Sequence, residues 1–188
     1  MKRGNDLRLA FVLVFILFVS GCGSSMMIKA DPVAFPENNE VLVTFIRPSV
    51  FGGAIKFSLW DSENFIGILT ARSYVQYKTH PGEHLFLARA ENWSYVKADL
   101  EPGKQYFILG KVYPGVWKAR VGLDPVNKDD KISQAQIDNW LNDLRPTTVI
   151  PGKADSFAEP RIPHVKSAID KFKAGDVKFN ELKASDNR

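Results

Sequence analysis

The chain has 188 residues, of which 45% are hydrophobic, 12% aromatic and 24% charged. That globular composition excludes a disordered, collagen-like or disulfide-rich chain. Its 25 basic and 21 acidic residues give a net charge of +4, too slight for this length to indicate nucleic-acid binding, and its single cysteine cannot form an internal disulfide.

The chain opens with Lys2, Arg3 and Arg8, followed by the uninterrupted apolar run Leu9 to Val19 and then Ser20-Gly21-Cys22. Charge, apolar stretch and small residues in that order make an export signal. A helix of about 11 residues rises roughly 16 Å, well short of the roughly 30 Å hydrocarbon core of a bilayer, so a membrane-spanning reading fails. Val19-Ser20-Gly21-Cys22 resembles the lipobox of bacterial lipoproteins. The resemblance implies diacylglycerol transfer to the Cys22 sulfur, cleavage between Gly21 and Cys22, and acylation of the new amino terminus. Several acyl chains on one residue hold a protein far longer than one, because each buried methylene contributes about 0.8 kcal/mol. Residue 23 is Gly. By comparison with enterobacterial lipoproteins, where Asp at this place favours inner-membrane retention, Gly23 implies the outer membrane, with the domain facing the periplasm.

Removal of residues 1–21 takes away Lys2, Arg3, Arg8 and Asp6, so 25 basic residues become 22 and 21 acidic residues become 20. Residues 22–39 mix small, polar and proline residues and read as a lipidated tether. The segment 40–123 then carries about eight short β-branched and aromatic runs: 41–47, 55–60, 65–69, 72–78, 84–91, 93–100, 105–112 and 116–123. Turn residues such as Asp61-Ser62-Glu63-Asn64, Pro81-Gly82 and Pro102-Gly103 separate them. Spacing near ten residues predicts an antiparallel β-sandwich. Alternation places Tyr106 and Ile108 opposite Phe107 and Leu109, and sends Val96, Ala98 and Leu100 to the core. The run 41–46 is apolar on both faces and predicts a central or covered strand.

The extension 124–188 reads as helical. Ser133 caps a helix over 134–144 with Ile137, Trp140, Leu141 and Leu144 on one face. Arg145-Pro146 stops it. Residues 146–163 read as a proline-rich loop. Pro163 opens a second helix with Val165, Ala168, Ile169 and Phe172 on one face, and Gly175 ends it. Both apolar stripes are expected to pack on the sandwich, and the last ten residues to fray. The predicted fold is therefore mainly β, with two packed C-terminal helices.

No chemistry stands out. His80 and His84 flank a Pro81-Gly82 turn, so their spacing does not form a metal-binding helix face, and a histidine satisfying a local hydrogen bond is the expectation. His164 reads as a helix-start residue. Neither a nucleophile elbow nor a phosphate-binding glycine loop is present after the signal. An acylated Cys22 leaves no thiol nucleophile, and Ser24 and Ser25 fall in the tether. Asp61, Glu63, Glu83, Glu91 and Asp99 could meet in space, but nothing selects a pair. Trp60, Trp93 and Trp117 read as core rather than sugar-stacking residues. Asn92-Trp93-Ser94 is a glycosylation sequon in letters only.

Phe45-x-Arg47-Pro48, Ile66-Gly67-x-Leu69, Ser73-Tyr74 and Pro81-Gly82-x-His84, in that order, resemble bacterial lipoproteins carrying the domain of unknown function numbered 2846, over roughly residues 40–122. The resemblance implies an envelope β-domain and transfers no catalytic residues. The expectation is a non-enzymatic, lipid-anchored envelope protein with no cofactor, metal or nucleic acid. It meets the membrane through Cys22 and has an envelope protein or glycan as partner. Two alternatives stand beside it. One is an envelope hydrolase using unassigned carboxylates; the other is an assembly subunit docking through the helix that carries Trp140.

Overall fold

A computed structural model describes residues 26–36, 39–115 and 119–188. Gly21, Cys22, the remaining signal residues, Ser24, Ser25 and Trp117 lie outside the described residues. Among the described residues eleven strands form two sheets. The first has the order β1 (Met27–Lys29), β10 (Arg145–Val149), β5 (Ser73–Thr79), β2 (Val41–Arg47), β8 (Lys104–Tyr113) and β9 (Arg120–Pro125). The second has the order β11 (Asn180–Leu182), β7 (Trp93–Leu100), β6 (Gly82–Arg89), β3 (Phe57–Asp61) and β4 (Asn64–Leu69). The protein is thus mainly β, a sandwich with two C-terminal helices packed on it.

Alternation along each strand builds the layers. Val41, Val43 and Phe45 of β2, Tyr106 and Ile108 of β8, Phe86 and Ala88 of β6, and Val96 and Ala98 of β7 fill the space between the sheets. Phe45 meets Phe86 edge-on across it, with ring centroids 5.4 Å apart. The outer faces are apolar as well, because each is covered by a helix. Helix α1 (Gln134–Asp143), capped by Ser133, lays Ile137 and the following Leu144 on Ile46, Tyr74, Phe107 and Leu109. Helix α3 (Ile162–Lys173) lays Val165, Ala168 and Ile169 on Trp60, Leu87 and Tyr95. A short helix α2 (Ala154–Ala158) precedes it. Gly175, at φ +78°, closes α3 in the left-handed conformation that glycine adopts without steric cost.

The structure departs from the sequence reading at three segments. The stretch read as a tether reaches the first sheet: Met27 to Lys29 pair antiparallel with Val149 to Thr147. The stretch read as a proline-rich loop contains β10, which runs parallel to β5 through Arg145↔Ser73 and Pro146↔Tyr74, and also α2. The tail read as frayed contributes β11, parallel to β7. Its Asp186 is buried and accepts the backbone N–H groups of Lys128 and Lys183. In each case pairing to a distant strand supplies order that a short polar segment lacks by itself.

Arg47, at the end of the fully buried β2, is itself fully buried. Its guanidinium donates to the carbonyls of Phe51, Gly52 and Ile55 and lies over the Phe57 ring. Burial pulls its pKa below the ordinary arginine value. The planar fork reaches three carbonyls at once and fixes the loop 48–56, which a lysine point donor cannot do. Arg47→Lys is therefore expected to lower the unfolding free energy by about 1.5–3 kcal/mol, read as a shift in urea midpoint; an unchanged midpoint would show that this anchor carries no stability.

Candidate functional site

Two polar constellations stand out, and they lie at opposite ends of the second sheet. At one end, Asp61 on β3 and His84 on β6 point into the space between the sheets, and Tyr77 on β5 reaches them from the other sheet. His84 Nδ1 lies 2.8 Å from Asp61 Oδ2, and its Nε2 lies 2.9 Å from the His80 carbonyl. The Tyr77 hydroxyl donates to the same carboxylate oxygen at 3.2 Å. A carbonyl can only accept, so Nε2 carries a proton, and the carboxylate favours a second proton on Nδ1. The Asp61 hydrogen bond raises the His84 pKa against the opposing effect of burial, and burial, then the Asp61 charge, raises that of Tyr77. Both ring nitrogens of His84 are thus engaged in local hydrogen bonds. The expected local hydrogen bond of this histidine is present, joined by a carboxylate 23 residues away. The group is a clasp between sheets.

The other carboxylates do not build an acid pair. Glu63 bridges to Lys166 and Glu83 to Lys97, each at 3.5 Å. Glu83 and Asp99 are directly opposite on β6 and β7, and both are exposed to water. Asn92 ties its turn to β9 by donating to the Val121 carbonyl and accepting the Val121 N–H, a structural role for the sequon residue. Trp60 is buried under α3 and Trp140 packs half-buried on the first sheet. Among the described residues no three of His, Cys, Asp and Glu gather as metal ligands, and no helix is long and apolar enough to cross a membrane.

At the other end lies a cavity of about 1150 Å³. Its walls are the β1–β10 edge ribbon, the outer face of β3, β4 and β6, and the turn from α2 into α3. Met27 reaches from β1 across to β4, where its sulfur accepts the Ile68 N–H at 3.3 Å. A Cβ on Gly67 would sit 3.1 Å from the Met27 methyl, so glycine there permits the approach. Helix α2 is held against the sheet by an aromatic chain, Trp60 to Phe65 at 5.1 Å and Phe65 to Phe157 at 4.7 Å.

The lining has one sign of charge. Lys29, Lys56, Arg89, Arg145, Lys153 and Arg161 line it, together with His164, and among the described residues no Asp or Glu does. Arg89 stacks on Trp93 at 4.9 Å and Arg161 on Phe157 at 3.7 Å. Stacking fixes each guanidinium plane and leaves edge N–H groups to donate. Lys29, Lys56 and Arg145 are exposed and form no ion pair among the described residues. Between the cations lie Met26, Met27, Ile28, Ile68 and Val165, so the cavity suits a ligand with an anionic end and an apolar stem. His164 and Trp93, read from sequence as structural, both contribute to this wall. The six cations went unrecognised because they come from different elements and make no local pattern. No family model, curated protein or solved structure matches the chain.

Because the folded His84 pKa lies above the ordinary 6.5, the stabilisation from the Asp61 pair is complete below about pH 6.5 and is lost as pH rises through the raised value. Melting temperature is expected to fall across that window in the native protein and to stay flatter in Asp61→Asn. Parallel profiles for the two would remove the clasp from the account of stability.

Proposed function

We propose that the protein is a lipid-anchored lipoprotein of the bacterial outer membrane that binds an anionic ligand and performs no catalysis. The anchor rests on the lipobox at Val19 to Cys22, and the envelope β-domain on the resemblance over residues 40–122. The observation that carries the binding role is the cavity walled by six cations with no acidic residue among the described ones. The mature chain has 25 less 3 basic and 21 less 1 acidic residues, close to neutral, so this concentration of one sign is local. A concave surface with convergent like charges focuses the field and raises the local concentration of anions. The non-enzymatic reading rests on His84, whose ring nitrogens are both bonded within the clasp.

Phenyl phosphate joins an anionic group to an apolar ring and is a suitable probe for calorimetric titration of the full chain in neutral detergent. It is expected to bind, to weaken as salt is added, and to lose about tenfold in affinity, or about 1.4 kcal/mol, when Lys56→Ala and Arg145→Ala are combined. Phenol, which lacks the charge, should not compete. Equal binding of the native and doubly substituted proteins would place the anion elsewhere.

A further inference from the structure

The same residues that wall the cavity connect it to the anchor. Met26 to Lys29 line it, and Cys22 precedes Met26 by four residues. At 3.3–3.6 Å per residue, a four-residue span reaches at most about 14 Å. If the acyl chains of Cys22 sit in the bilayer, the cavity wall cannot stand farther than that from the lipid surface. The pairing of Met27 to Lys29 with β10 prevents this part of the chain from paying out to lengthen the distance.

A second feature of the same end agrees. Loop 48–56 leads from the end of β2 to Lys56 on the cavity rim, and it exposes Val50 at 72% and Phe51 at 54%. Arg47 holds that loop in place from beneath through the carbonyls of Phe51, Gly52 and Ile55. Large apolar side chains displayed on a fixed loop beside a cationic surface suit the boundary between headgroups and acyl chains.

We infer that the cavity binds the phosphate-bearing headgroup of an anionic phospholipid from the membrane that holds the protein's own acyl chains. The inference rests on the anchored, anion-binding reading above and names its ligand. The cations take the phosphate, while Met26, Met27 and Ile68 on the wall take the first apolar part of the lipid. A phosphate monoester in solution shares the headgroup chemistry but lacks the stem, so the two sources can be separated.

Native mass spectrometry of the full chain from neutral detergent micelles, supplied in turn with phosphatidylglycerol, phosphatidylcholine or inorganic phosphate, tests this. The expected spectrum retains one phosphatidylglycerol and no phosphatidylcholine. Retention should fall at least tenfold in the Lys56→Ala, Arg145→Ala double variant. It should persist in Lys171→Ala, Lys173→Ala, which removes the same charge from residues of α3 that do not line the cavity. Equal retention of the two lipids, or equal loss in both double variants, would overturn the inference. Retention of inorganic phosphate without phosphatidylglycerol would overturn the lipid assignment and leave the anion-binding reading standing; retention of none would remove both. The intact mass in the same spectrum reports acylation of Cys22, so failure of the anchor is visible separately from failure of the cavity.

Discussion

Three residue pairs between β1 and β10 determine how the rest of this molecule can be used. Met27, Ile28 and Lys29 oppose Val149, Thr148 and Thr147, and backbone bonds from Ile150 to Met26 and from Ala30 to Pro146 extend the ladder at both ends. Without that ladder residues 26–30 would be a loose leash. With it, the segment is an edge strand of the first sheet, its Met27 sulfur touches the second sheet, and its side chains close a cavity. In the proposed reading, the point of lipid linkage and the binding wall become one structural unit.

The sandwich makes this possible because both faces of each sheet are packed, one on the shared core and one on a helix. β2 is buried along its whole length because the second sheet lies on one face and α1 on the other. The second sheet is likewise enclosed between the core and α3. The apolar stripes of both helices pack on the sheets, with Trp140 half-buried among them. At one end of the molecule the outer face of β3, β4 and β6 lies open beside α2 and α3. The end holding Asp61, His84 and Tyr77 is tied together by hydrogen bonds that converge on the Asp61 carboxylate. The end holding Arg89, Arg145 and Lys56 is open, and among the described residues its lining holds cations and no carboxylate.

Much of the fold was legible because it is written in local patterns. Period-two alternation located Tyr106 and Ile108 against Phe107 and Leu109, and the Ser133 cap with Ile137, Trp140, Leu141 and Leu144 located α1. The strands that were missed have three to five residues and little alternation. β10 also contains Pro146, which cannot donate to a ladder. They become strands only through partners far away in the chain, two of them in parallel register. The cavity was illegible for the same reason. Lys29, Lys56, Arg89 and Arg145 are isolated cations in sequence, and only the β1–β10 ribbon and the α2–α3 turn collect them. The residues that carried the family resemblance have structural work here: Arg47 fixes a loop, Gly67 admits Met27, Ser73 bonds the Thr70 carbonyl across its turn, and His84 joins the two sheets.

In the proposed reading the cavity end of the domain faces the membrane and the opposite end faces water. An acylated Cys22 leaves no other thiol in the chain, so a cysteine introduced at one place can carry a single nitroxide. Depth measurement by electron paramagnetic resonance in vesicles, with labels at Ser156 on the cavity wall and at Glu101 at the far end of β7, decides it. β7 has eight residues, about 26 Å at 3.3 Å each, enough to separate the two depths. The account predicts Ser156 at headgroup level and Glu101 in water, with both in water when Cys22→Ser is added. Glu101 at the headgroups, or Ser156 in water while the acyl chains are present, would contradict it.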